Sequence, residues 1–150
     1  MNSIDNIKGV LYQLERWQST IEIALDHGRH THTFDDIVGM VMANRILFFS
    51  FDECFFITEK IVYPQYSVFH CFLAGGSLEA LLAQKSYMLH VAKQLECKYL
   101  SLAGRKGWMR FLESKGWMHT CSTMYYPIEE KADERRGRRT EINGQVTTRN

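Results

Sequence analysis

The residues whose types and spacing can do chemistry fall into a few short groups. Ala74-Gly75-Gly76-Ser77 opens a long amphipathic stretch. Ser77 suits an N-cap, and Glu79 puts a negative charge in the first turn, so a helix is expected to begin there. A helix N-terminus behind two glycines presents backbone N–H groups to an anion. A purely structural strand-to-helix turn is the expected use of Gly75, Gly76 and Ser77. Arg105 and Lys106 stand in a turn between a short strand and a short helix. There they can meet a phosphate or a partner's carboxylate, or face solvent. Arg135, Arg136, Arg138 and Arg139 make a compact basic cluster flanked by Glu129, Glu130, Asp133, Glu134 and Glu141. Its guanidinium forks suit carboxylates of a protein partner or nucleic-acid phosphates. His27, His30 and His32 have spacings that can suit a metal, with Asp26, Asp35 or Asp36 as a carboxylate ligand. Polar loop histidines are the expected reading, so no metal is assigned.

Composition bounds what these groups can serve. The chain has 150 residues, 45% of them hydrophobic, which suffices for one core. A formal net charge of +1 supplies no global field for nucleic acid or membrane. Cys54, Cys71, Cys97 and Cys121 form no C-x-x-C pair, and three lie in apolar runs. Buried free thiols in a reducing compartment are therefore expected. The first residues carry no basic start before an apolar run, so no signal peptide is read there. No apolar run approaches the ~20 residues of a membrane-spanning helix.

The elements that position these groups follow from periodicity. Ile4, Ile7, Leu11, Leu14, Ile21 and Leu25 recur at three- and four-residue steps, which predicts one long helix over 4–27, closed by Gly28. Its apolar seam is expected on the chain's own core rather than on another subunit. Thr33 caps a second helix, Phe34 to Asn44, with Asp36 completing a near capping box. Strands are expected at Ile46 to Phe51, Cys54 to Tyr63 and Tyr66 to Leu73, an antiparallel meander. Leu78, Leu81, Leu82, Met88, Leu89, Ala92 and Leu95 then share one face of a long helix. Tyr99 to Leu102 reads as a short strand. Trp108, Phe111 and Leu112 mark a short helix stopped by Gly116, with Trp108 and Trp117 expected in the core. Met118 to Tyr126 reads as the last strand. Residues 1–128 form one expected domain, and the charged stretch from Glu129 to Asn150 is expected to order only on a partner.

From the second helix onward, this order resembles the acetyltransferase fold of the GCN5-related family, an α/β (α+β) architecture with a mostly antiparallel central sheet. The resemblance covers roughly residues 33–126, and the long N-terminal helix stands where the family has its first strand. Leu100-Ser101-Leu102-Ala103-Gly104-Arg105-Lys106-Gly107-Trp108, then Phe111-Leu112, then Gly116-Trp117, is similar to small phage-encoded proteins of this degenerate fold. Some podoviruses build such proteins into the particle as internal or ejection proteins. The resemblance therefore implies a virion protein, made in the host cytoplasm and binding other virion proteins in a multi-subunit assembly, with no membrane partner.

The family binds acetyl-CoA through a loop written Arg or Gln, two residues, Gly, one residue, Gly or Ala. The corresponding Phe72 to Leu78 keeps two glycines but lacks the leading basic residue and the spacing. The family's acid is a tyrosine four residues before the Gly-aromatic pair. Leu112 holds that position and has no proton to give, while Tyr99, Tyr125 and Tyr126 do not match the motif. A base at the sheet centre would fall to Glu59 or His70. Glu59 also reads as a solvent-facing strand residue and His70 as a satisfied core histidine. The expected function is thus a structural protein on a catalytically lapsed fold, with no catalytic residue and no cofactor. The alternative is a working acetyl-CoA-dependent N-acetyltransferase, and a nucleic-acid role for the arginine cluster is the weaker third reading.

Overall fold

The computed structural model describes residues 3–104 and 106–129, for Ser3–Asn6 and Lys106 the backbone alone. The chain divides into two units, the first ending at Trp108 and the second beginning at Met109. The first opens with helices α1 (Ser3–Arg16), α2 (Gln18–His27) and α3 (Phe34–Met42). The helix expected over 4–27 is thus broken, at Trp17, whose φ and ψ are −97° and 5°. Tertiary contacts hold the break. The Trp17 indole Nε1 donates to Ser50 Oγ at 3.0 Å, and the ring packs 5.3 Å from that of Phe55. Ser50 Oγ donates in turn to Gln13 Oε1 at 2.7 Å, and Arg16 donates to the carbonyls of Phe51 and Asp52.

The cap of α3 forms as expected. Thr33 Oγ1 accepts from Asp36 N at 3.1 Å, and Asp36 Oδ2 accepts from Thr33 N at 2.8 Å. These two bonds hold the Asp36 carboxyl below its usual range. α3 ends at Met42 rather than Asn44, since Asn44 has turned to a φ of 58°.

Strands β1 (Leu47–Ser50), β2 (Cys54–Val62), β3 (Ser67–Gly76) and β4 (Tyr99–Leu102) form one sheet in that order. β1–β2 and β2–β3 pair antiparallel, and β3–β4 pair parallel. The parallel pair is joined by α4 (Leu78–Ala83) and α5 (Lys85–Gln94), so the long helix expected over Leu78 to Leu95 is also broken, at Gln84. The sheet buries both faces. One carries Phe55, Ile57 and Leu73 against Leu14, Ile21, Leu25 and Ile37, so the N-terminal seam packs on its own sheet. The other packs Phe69 against Met88 and Ala92. Cys54 and Cys71 are buried free thiols, Cys97 is half-buried and Cys121 is exposed. Burial pushes the Cys71 thiol up to about 12. No described helix is long and apolar enough to cross a membrane.

α6 (Lys106–Glu113) carries the chain into the second unit, so Lys106 opens a helix rather than lying in the preceding turn. Gly116 stops it at a φ of 96°, and Trp117 N donates back to Leu112 O at 3.1 Å. Trp108 and Trp117 are half-buried rather than buried. The strand expected over Met118 to Tyr126 is absent, and residues 117–127 are irregular. A strand needs a paired edge and a buried face. Here Met118, Met124 and Tyr126 are all largely exposed, so no face is buried.

Candidate functional site

Gly75 and Gly76 do not form the expected turn. They are the last residues of β3, paired with Phe55 and Cys54 of β2. A Cβ on Gly75 would lie 2.7 Å from both Phe55 Cε1 and Thr20 Cγ2. A Cβ on Gly76, whose φ is 110°, would lie 2.2 Å from the Glu53 carbonyl oxygen. Both glycines are therefore required by the close approach of β2 and α2. Ser77 then caps α4, its Oγ accepting from Ala80 N at 3.2 Å, and its own N–H donates to Glu53 O at 2.9 Å. The Ser77 and Ala80 amides are thus already bonded within the protein, and Glu79 adds a carboxylate to the first turn. A pyrophosphate needs several amides converging on one anion, and those of Ser77 and Ala80 are taken up within the protein.

Beside this helix start the sheet opens. β3 and β4 are last paired at Cys71 and Leu102, after which β3 continues from Phe72 to Gly76 without β4. The β2–β3 register shifts at the same place, so that Phe72 is the extra residue between Cys71, opposite Thr58, and Leu73, opposite Ile57. Such a bulge bends a strand and re-aims its side chains.

One polar row crosses the sheet just before the opening. Glu59 of β2 faces His70 of β3, and His70 faces Ser101 of β4. Ser101 Oγ lies 2.8 Å from His70 Nδ1. All three side chains are half-buried, so Glu59 does not simply face solvent and His70 is not a closed core residue. Burial pulls the His70 imidazole below its ordinary value, and the charge of Glu59 opposes that. Glu59 and His70 are legible as candidates in the sequence, and Ser101 is not. No local signal marks it, because its place beside His70 depends on strand pairing across 31 positions.

Leu112 is buried and carries no proton. His30 Nδ1 lies 3.4 Å from Asp26, and His32 Nδ1 is 2.8 Å from Thr31 Oγ1. No group of three His, Cys, Asp or Glu side chains gathers as a metal site among the described residues. Arg105, the Lys106 side chain, and Arg135, Arg136, Arg138 and Arg139 lie outside the described residues.

Solved structures place this architecture. A protein described as a probable acetyltransferase matches with a TM-score of 0.58 at 10% identity, over 81% of this chain and 95% of its own. An acetyltransferase of Trypanosoma brucei matches with 0.51 at 12% identity, over 76% and 94%. A tetramutant of the BH1408 protein from Bacillus halodurans matches with 0.56 at 12% identity, over 81% and 96%. No protein-family model and no curated protein matches the sequence. The chain therefore has a GNAT-like, acetyltransferase-like fold: a mixed α/β structure with a four-stranded sheet flanked by helices.

Proposed function

We propose that this chain uses an acetyltransferase-like fold without the acetyl-CoA reaction and acts as a binding component of a phage particle. The observation that carries the first half is the helix start after β3. Gly76 is packed against the Glu53 carbonyl, and the Ser77 N–H is bonded to it. Leu112 at the position of the family's acid supports the same reading. The second half rests on the similarity of Leu100 to Trp117 to phage-encoded proteins and on the arginine cluster, which suits carboxylates of neighbouring virion proteins. Calorimetry at micromolar protein and acetyl-CoA is expected to give no heat of binding, and a micromolar Kd overturns the lapsed-fold reading. Mass spectrometry of purified particles of the encoding phage is expected to find the chain, and its absence from them overturns the virion reading.

A working N-acetyltransferase is the second reading, favoured by one observation. β3 leaves β4 after Cys71, which opens a sheet edge from Phe72 to Gly76 beside a half-buried histidine. Acetyl transfer to a panel of amines, abolished by His70→Gln, is the result that would establish it.

A further inference from the structure

The Glu59–His70–Ser101 row has the parts of an activated nucleophile. We infer that Ser101 Oγ accepts acyl groups from activated esters, with His70 as its base and Glu59 as the group that positions and stabilises His70. Serine is a weak nucleophile unless a base within hydrogen-bond reach takes its proton, and that base works best when a third group fixes its tautomer. The first relation is a direct hydrogen bond, and Glu59 acts on the ring through its charge. Ser101 Oγ is 2.8 Å from His70 Nδ1, and Glu59 stands opposite His70 in the antiparallel register. Directly opposed residues of an antiparallel pair have Cβ atoms about 4.5–5.5 Å apart, so the carboxylate acts on the ring from the neighbouring strand.

Strand alternation sets the row on the sheet face of Ile57, away from that of Phe69. The same alternation puts Tyr99 on the Ser101 side of β4. From the loop before α3, His32 packs on Phe72, ring centroids 5.7 Å apart. Partial burial keeps the imidazole neutral near pH 7, the form that accepts a proton.

Ser101 Oγ attacks the ester carbonyl carbon and forms the new C–O bond, while its proton passes to His70 Nδ1. The donor's acyl–oxygen bond breaks, and the alcohol or phenol oxygen leaves with the electron pair. Glu59 stabilises the imidazolium so formed. No other reactant is consumed.

The test uses the whole chain with p-nitrophenyl acetate, following nitrophenolate release and locating the acetyl group by peptide mass spectrometry. Acetyl is expected on Ser101 and to be absent from that peptide in Ser101→Ala. His70→Gln is expected to slow acylation by roughly 100-fold, the low end of what a positioned base contributes. Glu59→Gln is expected to move the midpoint of the pH–rate curve to lower pH, which a merely structural carboxylate would not do. Acetyl on lysines alone, or Ser101 acylated as fast in His70→Gln, overturns the proposal. NMR of the unmodified chain gives an answer that needs no variant. A ring protonated at Nε2 and open at Nδ1 supports the proposal, and a proton on Nδ1 donated to Ser101 overturns it.

Discussion

Gly76→Ala is expected to be among the most damaging single-methyl changes in this chain. The added Cβ would lie 2.2 Å from Glu53 O, 2.7 Å from Cys54 Cα and 3.0 Å from Glu53 C. All three are backbone atoms of the β2 start, so no side chain can swing away. Overpacking of this kind costs about 1–3 kcal/mol. The φ of 110° is a second cost, because a residue with a Cβ held there loses about 1–3 kcal/mol. Relief by separating the strands would also break Ser77 N–H to Glu53 O, a net loss of about 0.5–1.5 kcal/mol. These routes are alternatives in part, and we expect a net loss of about 3–5 kcal/mol, a large share of a small domain's stability. The assay is urea unfolding followed by tryptophan fluorescence, with Ser77→Ala as the comparison. That variant removes only the bond to Ala80 N, so about 1 kcal/mol is expected. A Gly76→Ala protein within about 1 kcal/mol of the parent would refute the packed-strand account and return Gly75-Gly76 to a free turn.

Thr33→Ala removes the acceptor of Asp36 N and is expected to cost about 1 kcal/mol, read from the urea midpoint. Trp17→Phe keeps most of the ring but loses the N–H to Ser50 Oγ, and about 1 kcal/mol should follow, with Ser50→Ala showing non-additivity in a double-mutant cycle. Leu14→Ala opens the core where α1 meets the sheet and is expected to cost about 2–5 kcal/mol by the same measurement. His70 is held below its unfolded value of 6.5, so the unfolded chain binds more protons through that window. Its contribution is present above 6.5 and is lost as pH falls through the folded value. His70→Gln should flatten that part of the stability–pH curve, and Glu59→Gln should lower the His70 midpoint further in an NMR titration.

Local chemistry settled most of the elements in advance. Thr33 with Asp36, and Gly116 after its short helix, act within a few residues, so the sequence alone determined both helix ends. Three- and four-residue apolar steps likewise determined which helix faces meet the sheet, since Leu14, Ile21 and Leu25 have no other way to leave water. What the tertiary structure decided depends on neighbours distant in sequence. Trp17 breaks its helix because Ser50 and Phe55 hold its ring. Met118 to Tyr126 has part of a strand's alternation but no strand, because a ladder needs a paired edge and a buried face that a local pattern does not supply. Glycine suits a free turn and a crowded strand end alike, so only the approach of Glu53 and Phe55 distinguishes the two at Gly75 and Gly76. Ser101 reaches His70 because α4 and α5 return the chain so that β4 pairs parallel to β3 in one register. A shift of one residue would turn its hydroxyl to the opposite face.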